Sequence, residues 1–232
     1  MGSRSVTGGR SSRRTVGRAF FDRPTVRVAR DLLGMGLRVR DGRRWRAVRL
    51  VETEAYVADD PANHAYRGPT RRNRSMFLRP GTLYVYRIHQ VVCANVVTRS
   101  GEAVLLRAGE PRTPGLASPS GPGRLCRVLG LSLADDGQDL VRGFRIRLDA
   151  RKGPTGRVIV GPRVGLRRAA ERPLRFLLAE SRWVSAPRPR PSRPLSAAWP
   201  TRSPGGGARR RSRTRRRRPS AGGTSGCRNA GR

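Results

Sequence analysis

The sequence predicts a single α+β domain, a largely antiparallel, curved β-sheet with flanking helices, set between disordered basic ends. Three observations predict it. Short apolar runs are separated by turn residues, the pattern of antiparallel strands. Apolar residues recur at helical spacing in only two brief stretches. The two ends are built from Gly, Ser, Pro, Thr and Arg and offer little to bury.

Taken in order, residues 1–17 are expected to be disordered. Thr25, Val28, Ala29 and Leu32 then stand at i, i+3, i+4 and i+7 before Gly34, which predicts a short amphipathic helix. Leu37 and Val39 alternate with arginines, Asp41-Gly42 signals a hairpin, and Val48, Leu50 and Val51 resume an apolar run. That run leads into Glu52-Thr53-Glu54-Ala55-Tyr56, so both glutamates should lie near a strand end. Leu83 to Ile88, Val91 to Thr98 and Ala103 to Ala108 read as further strands, the last two joined by the turn Arg99-Ser100-Gly101-Glu102. Leu125, Val128 and Leu129 predict a second helix after Gly121-Pro122-Gly123. A folded body over 18–190 and a disordered tail over 191–232 complete the expected organisation, with no internal repeat.

Composition narrows the partners. The chain of 232 residues carries 51 basic side chains against 15 acidic ones, a net charge of +36. Such a charge repels itself unless a polyanion offsets it, which points to nucleic acid. Fourteen of the arginines lie in residues 187–232 and four in 1–17, leaving +18 on the middle of the chain, so the basic character is not confined to the ends. Every basic residue but Lys152 is arginine, a bias that a GC-rich genome also produces. Cys93, Cys126 and Cys227 stand far apart and form no C-x-x-C pair, which argues against a zinc ribbon or a disulfide framework. His64 and His89 are the only histidines, so no histidine-rich metal site is expected, and no cofactor is implied. No apolar run approaches the roughly 18 residues of a membrane span. The expectation is a soluble, cytoplasmic monomer associated with chromosomal DNA.

The chemistry-bearing residues begin with Glu52 and Glu54, which an extended strand sends to the same face. Paired carboxylates divide labour in glycosidic cleavage, although an arbitrary Glu-x-Glu is more often an exposed strand face. Tyr56, His64, Tyr84 and Tyr86 form a large share of the flat side chains in a chain only 5% aromatic. Flat rings can sandwich a nucleobase, at about 1–3 kcal/mol per stacked base, or simply complete a core. Arg71-Arg72-Asn73-Arg74 is a donor-rich loop able to position a phosphate backbone without reading sequence, or a solvated turn. Gly121-Pro122-Gly123 could present helix N–H groups to a phosphate, or merely start its helix.

These residues occur in an ordered set: Val51-Glu52-Thr53-Glu54-Ala55-Tyr56, His64, Arg72-Asn73, Met76-Phe77 and Pro80-Gly81-Thr82-Leu83-Tyr84-Val85-Tyr86. The set continues through Cys93-Ala94-Asn95-Val96-Val97, Val104-Leu105-Leu106-Arg107-Ala108, Glu110-Pro111, Gly121 to Leu125, Gly161-Pro162-Arg163-Val164-Gly165 and Ala170 to Phe176. Over about residues 18 to 190 it resembles the alkyladenine (3-methyladenine) DNA glycosylase family. The resemblance implies double-stranded DNA with damaged purines as substrate and Glu54 as the general base that activates a water. It further implies that Arg107 helps hold that water, that Tyr56, His64 and Tyr86 wall the base pocket, and that Asn95 crowds the exocyclic amino group of normal guanine. It assigns no role to Glu52.

Elementary chemistry agrees with these roles. Cleavage builds positive charge on the sugar, which an ionised carboxylate both stabilises and serves as proton acceptor. A strand-cleaving glycosylase would need an amine nucleophile, and Lys152 lies outside every motif, so hydrolysis alone is expected. The sequence departs from the family pattern after Tyr86, where Arg87-Ile88-His89-Gln90-Val91-Val92 replaces a tyrosine followed by Gly-Met and is one residue shorter. His89 or Gln90 must then serve as the wedge that fills the gap left by an extruded nucleotide. The competing reading is a non-catalytic basic nucleic-acid-binding protein, against which Glu54, Arg107 and Asn95 stand together.

Overall fold

A computed structural model describes residues 15–151 and 153–189. The expected disorder of residues 1–14 and of the tail from 190 onward, and the surface position expected of Lys152, lie outside the described residues.

The body is α+β. Thirteen-residue β2 (Arg44–Tyr56) is its spine. It pairs antiparallel with β1 (Gly36–Asp41) through a two-residue turn at Gly42-Arg43, and on its other side with β5 (Ala103–Pro111). The sheet runs β3 (Leu83–Ile88), β4 (Val91–Val97), β5, β2, β1 and β6 (Ile146–Asp149). β8 (Arg175–Leu178) pairs with Glu52 to Glu54 of β2 and with β7 (Val158–Gly161). The predicted strands over 37–39, 48–56, 83–88, 91–98 and 103–108 are thus present, while β6, β7 and β8 were not foreseen.

Helix α1 (Arg18–Phe21), also unforeseen, buries Phe21. Gly81, at φ +83°, allows the turn into β3 to close over that ring, because a Cβ there would sit 2.8 Å from Phe21 Cδ2. Helix α2 (Thr25–Asp31) is the first predicted helix, and it packs Val28 and Ala29 into the core shared with Leu50, Val51 and Leu106. Thr53 Oγ1 donates to the Ala29 carbonyl at 2.8 Å, which ties α2 to the spine. Helix α3 (Pro122–Leu129) is the second, started by Pro122 and stopped by Gly130 in the left-handed region. The ordered body begins before residue 18: Val16 donates to the Leu148 carbonyl and packs against the core, and Thr15 bridges Asp149. Val16 thereby extends the edge beyond β6.

One irregularity in β2 decides where the chemistry sits. The β2–β5 register runs Val48↔Pro111, Arg49↔Glu110 and Leu50↔Gly109, then skips Val51 to pair Glu52 with Ala108, then skips Arg107 to pair Thr53 with Leu106. Val51 is an extra residue on β2 and Arg107 an extra residue on β5. The first bulge changes parity: Val48 and Leu50 face the core, and beyond the bulge Val51, Thr53 and Ala55 do so. Glu52, Glu54 and Tyr56 therefore share the opposite face. Without the bulge, strict alternation would aim both carboxylates into the apolar core, where an unpaired charge costs far more than a local kink.

Candidate active site

Glu54 is fully buried at the β2–β8 edge. Its Oε1 accepts from the Val164 amide at 3.0 Å and lies 3.4 Å from Arg107 Nη1, while its Oε2 accepts from the Tyr56 hydroxyl at 3.0 Å. Desolvation raises its pKa above the usual 4.5, more than Arg107, the Val164 amide and the Tyr56 hydroxyl lower it, and nearby Glu52 raises it further. The site therefore holds a carboxylate with an enhanced appetite for a proton, preoriented by three donors.

Arg107 is 7% exposed and reaches both acids. Its Nε lies 3.0 Å from Glu52 Oε1 and donates to Ser185 Oγ at 3.0 Å. Glu52 also receives Arg175 Nε at 2.6 Å, Ser185 Oγ at 2.9 Å and the Ser185 amide at 2.7 Å. Arg175 in turn donates to the carbonyls of Ser185 and Pro187. Two carboxylates and two guanidiniums thus form one buried group of ion pairs.

Next to it, Tyr56, Asn63, His64, Met76, Tyr84, Tyr86, Asn95 and Ala103 line a pocket. The rings of His64 and Tyr86 lie 4.5 Å apart and 72° from parallel, and Tyr84 stacks on Tyr86 at 5.4 Å. Another ring has no room between His64 and Tyr86, so the pair forms one wall and Tyr56 another. Arg163 lies over the Tyr56 ring at 4.6 Å without lining the pocket, and it is paired with Asp60 and the Ala55 carbonyl. Burial pushes the Tyr84 phenol up to about 12 and the Tyr86 phenol higher, so both stay neutral. Burial first and Arg72 second hold the His64 imidazole below its usual 6.5, which keeps it neutral near pH 7. Its Nδ1 then lies 3.0 Å from the Tyr84 hydroxyl, which donates to it when that nitrogen is unprotonated. The Asn95 side-chain amide is buried and donates to the Tyr84 carbonyl at 3.2 Å.

The expected residues do not all meet. Glu54, Arg107, Tyr56, His64, Tyr86 and Asn95 converge. His89 and Gln90 lie at the far tip of the β3–β4 hairpin, three residues or about 10 Å of strand beyond Tyr86. Both are exposed and have positive φ, +44° and +65°, in a two-residue turn flanked by exposed Ile88 and Val91. Arg71, Arg72 and Arg74 are exposed as expected of a backbone-contacting loop. Asn73 is a correction: it turns inward, 3% exposed, accepting from the Thr70 amide and hydroxyl and donating to the carbonyls of His64 and Gly68. With its amide so engaged it anchors the pocket loop rather than a phosphate. Sequence reasoning singled out Glu52 without giving it a role, and it missed Arg163, the Val164 amide, Arg175 and Ser185. The motifs Gly161 to Gly165 and Ala170 to Phe176 marked the segments of three of them, but gave no role. Among the described residues no group of His, Cys, Asp and Glu side chains is arranged to hold a metal.

Comparison with known proteins places this geometry. The family model of methylpurine-DNA glycosylase matches residues 19–182. Relatives named "Putative 3-methyladenine DNA glycosylase" include one from Rhizobium etli, 42% identical over 73% of this chain and 88% of its own length. Another, from Anaeromyxobacter dehalogenans strain 2CP-C, is 47% identical over 74% and 86%. A third, from Synechococcus elongatus, is 46% identical over 72% and 88%. A match over most of the chain, with the aromatic pocket and its adjoining carboxylate inside it, is decisive: the chain belongs to the methylpurine-DNA glycosylase family and is a DNA glycosylase.

Proposed function

We propose that the protein extrudes an alkylated purine of the 3-methyladenine kind from duplex DNA and hydrolyses its N-glycosidic bond, leaving an abasic site. The observation that carries this reading is the placement of Glu54, buried with a raised pKa and held by the Tyr56 hydroxyl, whose own ring lines the pocket. The extruded base stacks on Tyr56, with His64 and Tyr86 forming the other wall. Asn95, fixed through Tyr84, crowds the exocyclic amino group of guanine. A base alkylated at N3 or N7 is cationic, so neutral His64 and the electron-rich faces of the tyrosines favour it.

In the reaction, the bond from the anomeric carbon to the base breaks and its electron pair leaves with the purine. A water held by Arg107 gives its oxygen to that carbon and its proton to Glu54. The carboxylate also faces the positive charge that develops on the sugar. No amine takes part, so the sugar-phosphate chain stays intact. The enzyme acts as a monomer in the cytoplasm, and Arg71, Arg72 and Arg74 contact phosphates. Extrusion costs a few kcal/mol and least at weakened pairs, so the lesion itself supplies part of the selectivity.

The test is single-turnover release of free base from methylated duplex DNA by Glu54→Gln. The amide keeps shape and neutral hydrogen bonding but loses charge and proton acceptor, so release should fall by about 10²–10⁴ while DNA binding persists. Release near the wild-type rate would remove Glu54 from the chemistry, and binding without any release by the wild type would make the chain a DNA-binding protein only.

A further inference from the structure

The mechanism above leaves Glu52 unused, although its carboxylate is fully buried and gathers more partners than Glu54. A buried carboxylate that only braced the fold would be satisfied by Arg175 and Ser185, which close the β2–β8 edge. Glu52 instead also takes the Nε edge of Arg107 at 3.0 Å, whereas the Nη1 of the same guanidinium stands 3.4 Å from Glu54. Ser185 reinforces the hold by accepting from Arg107 Nε and donating to Glu52 Oε1. The bulges make this sharing possible, since Val51 turns both acids away from the apolar core and Arg107 is the extra residue on the facing strand.

We propose that Glu52 is a positioning residue that, with Ser185, grips Arg107 by its Nε edge, so that the guanidinium is divided between two carboxylates and never neutralises Glu54 alone. This rests on the reading of Glu54 as the general base. A base paired one-to-one with an arginine would lose basicity, because an opposite charge within about 4–6 Å favours the ionised form. Glu52 draws the cation back and adds its own like charge, and both effects keep Glu54 ready to accept a proton. The groups that face Glu54 from every side are Arg107 on β5, Tyr56 and Glu52 on β2, Tyr86 on β3, Cys93 on β4 and the Val164 amide beyond β7, with Arg175 opposite it on β8.

The test is the pH profile of single-turnover release from methylated duplex DNA by the full chain. Glu52→Gln should move the acid limb to lower pH by about one unit and lower the plateau roughly tenfold, as a less basic Glu54 takes the proton less readily. A lowered plateau with an unmoved limb would mean that Glu52 only braces the fold, and would overturn the proposal. Should Glu52→Gln not fold, Ser185→Ala decides, because it leaves all four charges in place and removes one of the two anchors on Arg107 Nε. It should release base several-fold more slowly with DNA affinity unchanged, and a wild-type rate would equally overturn the proposal. Glu54→Gln run alongside separates the two ideas: if it stays active the base assignment fails, and if it is inactive while the Glu52 and Ser185 variants behave as wild type, only the positioning role fails.

Discussion

The pocket end of β2 and the tip of the β3–β4 hairpin are built on opposite principles. At the pocket end, Glu52, Glu54, Arg107 and Arg175 are buried and cross-braced through three strands, β2, β5 and β8. At the tip, Ile88, His89, Gln90 and Val91 are exposed, and two non-glycine residues occupy the left-handed region where Asn-Gly is usual. Chemistry on a glycosidic bond needs a carboxylate whose place and proton affinity are fixed before the substrate arrives. Entry into a stacked duplex needs side chains that protrude, and protrusion forgoes the packing that would hold them. One region spends stability on a buried charge and the other on backbone strain, and the two can be perturbed separately.

The largest expected effect comes from pH, through its action on the pocket. Glu54 must be ionised to accept a proton, and burial raises its pKa above 4.5. Base release should therefore fall about tenfold for each pH unit below that raised value, along a limb displaced upward from the ordinary carboxylate range. His64, held below 6.5, sharpens the comparison. Once the solution is acidic enough to protonate it, the imidazolium repels a cationic base but not a neutral one. Release of a 3-methyladenine-like base should then fall faster than release of hypoxanthine. Parallel limbs for the two lesions would show that His64 does not face the base.

The tip predicts a smaller effect with a different signature. If His89 is the wedge, His89→Ala should depress release of cationic and neutral lesions alike, by roughly five- to a hundredfold, the value of one stacked ring. His89→Tyr should raise release of the neutral lesions more, because extrusion of a labile cationic base depends less on help from a wedge. The acid limb should stay in place in both variants. Unchanged rates in His89→Ala would transfer the wedge to Gln90 or to the exposed Ile88 and Val91 beside it.

What was legible in the sequence follows the same division. α2, α3, the β1–β2 hairpin and the meander β3–β4–β5 were readable because their signals are local: helical spacing at 25–32, Pro122 before an apolar stripe, apolar runs between turns. β6, β7 and β8 were not, since each is four residues long: β6 and β8 are specified by pairing with strands over 100 residues away, as Gly36 with Asp149 and Glu52 with Leu177 are, and β7 is specified by pairing with β8. The same distance hid the role of Glu52, whose partners Arg175 and Ser185 lie 123 and 133 residues on. The adjacent pair Leu50-Val51, which breaks alternation, is the local trace of the bulge that orients the acids. Asn73 was misplaced because its arginine neighbours set the expectation, whereas a short amide in a tight turn finds backbone partners more readily than a ligand.

The smallest expected effect concerns stability, where the two regions should gain in distinguishable ways. A carboxyl group with a raised folded-state pKa binds more protons folded than unfolded between its usual 4.5 and the raised value, so stability falls as pH rises through that window. Above the window the penalty is complete, and Glu54→Gln, which never ionises, avoids it. Its melting temperature should exceed that of wild type at neutral pH by about 2–4 °C for each kcal/mol relieved. The advantage should vanish as pH falls toward 4.5, because wild-type Glu54 is then protonated as well. At the tip, Gln90→Gly places the one residue free of Cβ crowding at φ +65°. A left-handed backbone costs an ordinary residue about 1–2 kcal/mol, partly offset by the greater freedom of glycine in the unfolded chain. The gain should be smaller than that of Glu54→Gln and identical at every pH, since no proton is linked to it. Thermal denaturation of both variants across pH decides the matter: a pH-independent gain in Glu54→Gln would mean that Glu54 is not held with a raised pKa, and no gain in Gln90→Gly would mean that the tip is not strained at that residue.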